Sequence, residues 1–217
     1  MTRKEAAKRK RQVVIGLEIH LQLKTKSKIF CSCSTDYIGA TPNTNVCPVC
    51  LAVPGTLPVL NEHAVSLAVR MGLGLHCDIK DNTRFHRKHY FYADLPKAYQ
   101  VTQYEHAIAQ GGYLDIIADG KTKRVHLDHI HLEEDAGKLV HPTADGRLAG
   151  ASYSFVDYNR GGMPLSEIVS MPDMNSAAEA VAYVMQIRPL ASYLEVSDGA
   201  MDAGSRSVDA DVSLSAA

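Results

Sequence analysis

The chain has 217 residues, 46% of them hydrophobic, which is enough for one large domain, or one and a half ordinary ones, with a buried core. Its 23 basic and 24 acidic residues give a net charge of -1, so the overall charge does not favour nucleic acid as a partner, although a local basic patch remains compatible with one. No window approaches the roughly 20 apolar residues of a membrane span, so we expect a cytoplasmic protein that does not associate with a membrane.

The N-terminal segment, MTRKEAAKRKRQ, is strongly basic, with Glu5 as its one acidic residue. No apolar stretch of the kind found in signal peptides follows it. We predict a basic disordered arm over residues 1–12. It could contact phosphate groups, or it could be a solvated tail with no binding role.

Residues 13–23 (VVIGLEIHLQL) alternate between apolar and polar from Gly16 onward, which is typical of a strand with one buried face. Glu18 and His20 then lie on the same polar face, about 7 Å apart. Such a pair can provide two metal ligands or an acid/base couple, and a solvated strand face would show the same pattern.

The cysteines come next, as a C-x-C pair and a C-P-x-C pair. This is metal-ligand spacing, because each pair can present two thiolates from a tight turn to one tetrahedral ion. We predict a zinc-binding loop over residues 31–50; the alternatives are two disulfides, which the lack of a secretory signal disfavours, or four unrelated thiols. The predicted zinc ligands are Cys31, Cys33, Cys47 and Cys50. Cys77, in an apolar setting, is predicted to be a small core residue.

Residues 83–103 interleave aromatic and basic side chains, after a predicted packing helix over residues 62–75 that Asn61 would cap. Aromatic rings stack on bases and basic groups hold phosphates, so this segment suits a nucleotide or the end of a tRNA. A sheet edge whose basic side chains lie along apolar surface is the alternative.

A predicted hairpin over residues 111–123 leads into a strand that ends in three consecutive acids, Glu133, Glu134 and Asp135. His129 and His131 lie on the same face as Glu133. Adjacent carboxylates repel one another unless a cation neutralises them, so a Mg²⁺ or ATP-linked site is one interpretation and a solvated acidic turn is the other.

Two further acids, Asp157 and Glu167, lie on or beside short predicted strands and are candidates for the same carboxylate cluster. A second helix is predicted over residues 177–194, capped by Ser176, and an alternating strand over residues 208–214. These elements predict an α+β fold: a mixed, mostly antiparallel sheet with packing helices and a zinc-bound loop.

Six segments of the chain, in order, resemble the N-terminal catalytic (cradle) domain of the GatB/GatE family of aspartyl/glutamyl-tRNA amidotransferases. They are GLEIHLQLKTKSKIFC, PNTNVCPVCLAVPGTLPVLN, YFYADLPKAYQVTQY, HLEEDAGKL, DYNRGGMPL and VSDGAMDAGS. The resemblance covers residues 13–217 and implies an incomplete, cradle-like domain, because family members continue beyond this region.

The resemblance implies that the chain uses ATP and Mg²⁺ to phosphorylate the side-chain carboxylate of Glu or Asp misacylated on tRNA(Gln) or tRNA(Asn). Ammonia from the amidase subunit GatA, which assembles with the small subunit GatC, would then displace phosphate. The implied catalytic residues are Glu18, His20, Glu133, Glu134 and Glu167. The implied cofactor-binding residues are Asp157, Asn159, Arg160 and Lys138, the implied Mg²⁺ ligands are His20, Glu133 and Glu134, and the four cysteines match the family's zinc positions.

The sequence departs from the family pattern in places. Ala98 stands where the family's LPKGYQ has glycine, and residues 205–209 (SRSVD) replace a pattern close to S-L-R-C-D. A second hypothesis is therefore a truncated or degenerate paralogue that acts as a non-catalytic, zinc-containing RNA or protein interaction module.

Overall fold

The computed structural model describes residues 11–198 and 206–216. Most of the predicted basic arm, residues 1–10, lies outside the described residues. The first strand begins at Arg11, so the last two residues assigned to the arm belong to the sheet.

The described residues form two helices and eleven strands. The helices are α1 (Glu62–Gly74) and α2 (Ala177–Tyr193). The strands are β1 (Arg11–Gln22), β2 (Asp78–Ile79), β3 (His86–His89), β4 (Tyr99–Thr102), β5 (Ala109–Gln110), β6 (Tyr113–Ala118), β7 (Lys121–Glu134), β8 (Lys138–Val140), β9 (Phe155–Asp157), β10 (Pro164–Ser170) and β11 (Arg206–Ala216). Both helices, β1 and β11 begin and end within two residues of their predicted bounds, whereas β2, β3, β5 and β8 were not predicted as strands.

One seven-stranded sheet forms the body of the fold, in the order β11-β1-β10-β7-β5-β2, with β6 also paired to β7. Two-stranded ribbons, β3–β4 and β8–β9, lie off this sheet. The strand pairings in the described residues are antiparallel. The predicted α+β class with a mostly antiparallel sheet is therefore confirmed.

Strand β1 explains how the sheet separates its core from its polar face. Ile15, Leu17, Ile19 and Leu21 are buried in the core, as the alternation of the sequence predicts. The residues between them, including Glu18 and His20, therefore lie on the opposite face, where the candidate site is found.

Along strand β7, the alternation of buried and exposed apolar positions shifts by one residue partway along the strand. Val125 and Leu127 are buried, and the buried positions then shift to Ile130 and Leu132. The register against β10 shows the cause: Val169 pairs with His129, but the next residue pairs with Leu127, so β7 contains one extra residue in a β-bulge. Both apolar pairs thus face the core.

Both helices begin at the predicted caps. The Asn61 side chain accepts hydrogen bonds from the backbone amides of His63 and Ala64 at the start of α1, and Ser176 accepts one from Glu179 at the start of α2. Leu67 of α1 and Ile187 of α2 are among the residues they bury in the core with the apolar face of the sheet. Within the described residues, no helix is long and apolar enough to cross a membrane.

Candidate functional site: an acidic cavity and a cysteine cluster

The polar face of the sheet brings one histidine and two glutamates together from three neighbouring strands. His20 on β1 pairs in register with Glu167 on β10, and Glu133 comes from the end of β7. The His20 Nε2 atom lies 3.3 Å from Glu133 Oε1 and 3.2 Å from Glu167 Oε2. One ligand atom from each of the three residues lies within 4.8 Å of the others, a spacing that could hold a metal ion.

A second histidine, His131, contacts the same two carboxylates. His131 Nε2 lies 3.1 Å from Glu167 and 3.7 Å from Glu133. Its Nδ1 atom lies 3.0 Å from Nε2 of His129, whose own Nδ1 is 2.6 Å from Asp128. A line of polar groups therefore connects the glutamate pair to the surface.

The two glutamates attract positive charge strongly. Burial disfavours the charged form of His20, but hydrogen bonds to Glu133 and Glu167 outweigh burial and raise the pKa of His20 to about 10. The same balance raises the pKa of His131 to about 9. Burial would raise the pKa of each glutamate, yet the histidines lower it in both. Two adjoining carboxylates that remain ionised are suited to a divalent cation.

A cavity of about 520 Å³ opens above these residues. Its wall combines further acids with the basic groups of Lys88 and Arg160. Burial and the neighbouring carboxylates of Glu167 and Asp211 raise the pKa of Glu18 on this wall. The lining residues are Glu18, His20, Gln22, Lys88, Tyr90, Gln100, Glu133, Asp135, Ala136, Arg160, Leu165, Glu167, Ser207 and Asp209. We call this space the acidic cavity.

Lys88 and Tyr90 belong to the wall, although no specific site role was predicted for either. Their two-residue spacing near the end of β3 is the signal that could have indicated a shared face.

Arg160 contacts Asp135 at 3.4 Å and donates to the carbonyl oxygens of Ala136 and Gly137 at 3.1 and 2.8 Å. The guanidinium is thus anchored in the wall of the acidic cavity, which Glu133 and Glu167 also line.

Glu134 lies apart from the cluster, although the predicted ligand set was His20, Glu133 and Glu134. Because β7 remains extended through Glu134, the two consecutive glutamates point to opposite faces. Glu134 pairs with Lys97 and accepts a hydrogen bond from the Val101 amide at 2.8 Å. It lines a different cavity of about 290 Å³, beside the cysteines. Glu167 takes the third position in the acidic cavity.

Asp157, Asn159 and Lys138 also differ from their predicted place at the nucleotide. Asp157 accepts from the Asn43 amide at 3.1 Å, and the fully buried Asn159 accepts from the Asn45 amide at 2.8 Å. Both side chains therefore hold the cysteine-bearing loop. Lys138 is exposed on β8, opposite Asp157, and none of these three residues lines the acidic cavity.

The basic and aromatic segment forms the β3–β4 ribbon and its connection, beside the acidic cavity. Phe91 and Tyr92 are 84% and 66% exposed. The Arg87 guanidinium lies 4.7 Å from the centre of the Tyr99 ring, so part of the segment's basic charge rests on its own aromatic surface. The exposed rings remain accessible for stacking.

The four predicted zinc ligands meet in one place. One sulfur from each of Cys31, Cys33, Cys47 and Cys50 lies within 4.8 Å of the others, and all four are free thiols. A hydrogen bond from the Cys31 thiol lowers the pKa of the Cys50 thiol, and the nearby Lys28 ammonium acts in the same direction. The cluster could hold one tetrahedral ion such as zinc.

Cys77 is separate from this cluster and buried in the core, where burial raises the pKa of its thiol to about 11.

Sequence comparisons relate the chain to a family of known proteins. A family model described as the GatB/GatE catalytic domain matches residues 13–217. The chain is 53% identical over 205 residues to the B subunit of the aspartyl/glutamyl-tRNA(Asn/Gln) amidotransferase of Thermoanaerobacter pseudethanolicus, a match covering 94% of this chain and 42% of that protein.

Proteins of the same name from other bacteria give similar values. Identity is 54% over 203 residues for Geobacter sulfurreducens, covering 94% of this chain and 42% of the relative. It is 50% over 220 residues for Rippkaea orientalis, covering 99% of this chain and 44% of the relative. The chain therefore spans less than half the length of these curated relatives, and it belongs to the GatB/GatE catalytic domain family.

Proposed function

We propose that this chain carries out the ATP-dependent step of a tRNA-dependent amidotransferase. The substrate would be the side-chain carboxylate of Glu on tRNA(Gln) or Asp on tRNA(Asn). The observation that supports the proposal most directly is the cluster of His20, Glu133 and Glu167 at the base of a cavity walled by Lys88 and Arg160. The relatives' name, a tRNA amidotransferase subunit, supplies the substrate class.

Phosphoryl transfer asks mainly for positioned charge around the γ-phosphate. Glu133 and Glu167 would hold Mg²⁺, which when bound neutralises phosphate charge, and His20 would become a third ligand by giving up the proton that the two carboxylates hold on it. Lys88 and Arg160 would contact phosphate oxygens from the wall of the cavity. Arg160 is suited to this because its Nε and one terminal nitrogen already hold it against backbone carbonyls, which restricts its orientation.

The proposed reaction has two steps. An oxygen of the substrate carboxylate forms a bond to the γ-phosphorus, the bond to the β-bridging oxygen breaks, and ADP leaves. The nitrogen of ammonia then attacks the activated carbonyl carbon, phosphate leaves, and the nitrogen loses one proton to give the amide. The proposed source of ammonia is an amidase subunit, GatA, assembled with GatC, and the proposed location is the cytoplasm.

The β3–β4 ribbon supports the proposed contact with tRNA. Phe91 and Tyr92 present exposed rings on which bases can stack, and Lys88 reaches the acidic cavity from the same segment. The four-cysteine cluster would hold structural Zn²⁺ and take no part in the chemistry.

Nucleotide binding tests the assignment of the cavity. We expect the purified chain to bind ATP in the presence of Mg²⁺ and to bind it far more weakly without, because uncompensated carboxylates repel the phosphates. Glu167→Gln should weaken Mg²⁺-dependent binding at least tenfold, measured by equilibrium dialysis. Glu105→Gln, at an exposed position, is the matched control and should bind as the parent chain does.

Folded, zinc-loaded protein that fails to bind Mg-ATP would overturn the assignment and would leave the non-catalytic interaction module as the better hypothesis. If binding is observed, co-purification with the amidase and small subunits and an assay of Glu-tRNA(Gln)-dependent ADP release test the amidotransferase role itself.

A further inference from the structure

Lys28 is a charged residue whose burial the proposed reaction does not explain. It follows β1 and is 0% exposed. Its Nζ atom lies 2.9 Å from the carbonyl oxygen of Asn45, 3.4 Å from that of Tyr158 and 3.8 Å from Sγ of Cys50. A lysine ammonium has three N–H donors, so these three acceptors match its hydrogen-bonding capacity.

Hydrogen bonds alone do not account for a buried full charge. Moving an ammonium out of water costs several kcal/mol even after the protein relaxes, and neutral carbonyl dipoles offset a part of that cost. None of the three acceptors recorded around Lys28 is a carboxylate. The third acceptor is a cysteine sulfur, which becomes an anion when it ligates a metal.

The cysteine cluster can supply the missing negative charge. Four thiolates around one divalent ion carry a net charge of about -2, because the ion neutralises two of the four. Cys50 belongs to that set of four and is the member that Lys28 contacts. A buried ammonium at this position neutralises part of the remaining charge and donates a hydrogen bond to the sulfur.

We propose that Lys28 is the counter-charge of a metal–thiolate centre at the four cysteines, a positioning residue that raises the affinity of the centre for its metal. Its two carbonyl contacts fix the ammonium in place. Asn45 lies in the cysteine loop and Tyr158 in the turn beside Arg160, so Lys28 holds both segments against the sulfur. The inference does not depend on the proposed ATP chemistry.

Zinc affinity tests this role without an activity assay. Lys28→Met keeps the length and the apolar stem of the side chain but removes the charge. We expect the variant to bind zinc about 10- to 100-fold more weakly, the range found when partners of metal ligands are removed, as measured by competition with a chromophoric chelator. Lys26→Met, an exposed neighbour, is the matched control and should leave the affinity unchanged.

Co²⁺ substituted for zinc in Lys28→Met reports the number of thiolate ligands through its electronic spectrum. The spectrum therefore distinguishes loss of the Lys28 charge from loss of a cysteine ligand. We expect Lys28→Met to retain the tetrahedral tetrathiolate spectrum while its affinity falls. Zinc binding as tight as in the parent chain would overturn the proposal, and so would a spectrum showing that a thiolate has left the metal.

A steric role for Lys28 is the competing explanation, because its stem packs against the turn at Gly162, and Lys28→Met could therefore fail to fold. Lys28→Gln and Lys28→Arg decide that case. The proposal predicts that the charged Arg variant folds and holds zinc more tightly than the neutral Gln variant. If neither variant folds with zinc, or if both bind it equally well, shape rather than charge is what the position requires and the proposal fails.

Discussion

Ala98 adopts a left-handed backbone conformation, with φ of 58°. A Cβ atom makes this conformation unfavourable by roughly 1 kcal/mol, and glycine removes the penalty. We therefore expect Ala98→Gly to raise the free energy of unfolding by up to about 1 kcal/mol in urea titrations. Ala40→Gly, in a loop where φ is not positive, should have no such effect; a loss of stability in Ala98→Gly would contradict this explanation.

The Tyr183 hydroxyl is buried in α2 and has no hydrogen-bond partner among the described residues. Burial raises the pKa of this phenol, so the side chain remains neutral. Removing an unsatisfied hydroxyl relieves its desolvation penalty, and we expect Tyr183→Phe to stabilise the fold by roughly 1 kcal/mol in thermal or urea unfolding.

Tyr158→Phe is the control for that substitution. Its hydroxyl donates to the carbonyl oxygen of Ala93 at 2.8 Å, so loss of the oxygen should destabilise the protein. Equal effects from both phenylalanine variants would show that the Tyr183 hydroxyl is not an unsatisfied group.

At the scale of elements, the end of β7 presents Glu133 to the acidic cavity and Glu134 to a buried ion pair with Lys97. Removing one partner of a buried pair leaves a charge without compensation, which costs about 3 kcal/mol or more. We expect Lys97→Met and Glu134→Gln each to destabilise the fold strongly, and the double variant to be more stable than their summed effects predict, as a double-mutant cycle in urea would show.

The exposed pair of Asp115 and Arg124 is the control for this experiment. Solvent screens such pairs, so Asp115→Asn should leave stability nearly unchanged. Strict additivity of the Lys97 and Glu134 substitutions would contradict direct coupling between them.

The start of α2 is stabilised by Glu179, whose carboxylate accepts from the Asn175 amide and from Lys123 on β7, both at 2.7 Å. Partial burial opposes ionisation, but these donors outweigh it and hold the pKa of Glu179 below 4.5. A lowered pKa means that the stabilisation is present above pH 4.5 and is lost as the pH falls through the folded-state value.

Glu179→Gln should therefore cost about 0.5–1 kcal/mol near pH 7. The difference from the parent chain should shrink as the pH falls below 4.5, as measured by unfolding at several pH values. A difference that stays constant down to pH 3 would show that the charge of Glu179 does not matter.

At the scale of the whole molecule, the cysteine loop and the acidic cavity are connected although no cysteine lines that cavity. Asn159 bonds to the loop at Asn45, and the next residue is Arg160 of the cavity wall. If zinc holds the loop, its removal by Cys47→Ser should lower thermal stability, because structural zinc contributes folding energy directly. It should also weaken Mg-nucleotide binding by displacing Arg160.

Cys77→Ala is the control that distinguishes loss of zinc from a general loss of stability, since it removes a core thiol and leaves the cysteine cluster intact. We expect it to reduce stability with unchanged zinc content and unchanged nucleotide binding. Metal-free Cys47→Ser protein of full stability would exclude a structural role for the ion.

Features that depend only on neighbouring residues could be predicted from the amino-acid sequence alone. The alternation along β1 predicted its buried face and placed Glu18 with His20, the caps Asn61 and Ser176 predicted where both helices begin, and the paired cysteines predicted their own cluster. Each of these follows from the geometry of one strand, one helix turn or one loop, so a short window of sequence contains the cause.

The tertiary structure decided which distant groups share a site. Glu167 faces His20 because β10 pairs with β1 in a register that no local pattern specifies, and Glu134 lies outside the cluster because β7 stays extended through it, so that consecutive side chains point to opposite faces. Asp157 and Asn159 likewise bond to Asn43 and Asn45 of the cysteine loop and do not line the cavity, a long-range contact that local sequence does not specify. Pairing between segments more than a hundred residues apart is set by the packing of the whole sheet, and a one-residue change in register moves a side chain to the other face.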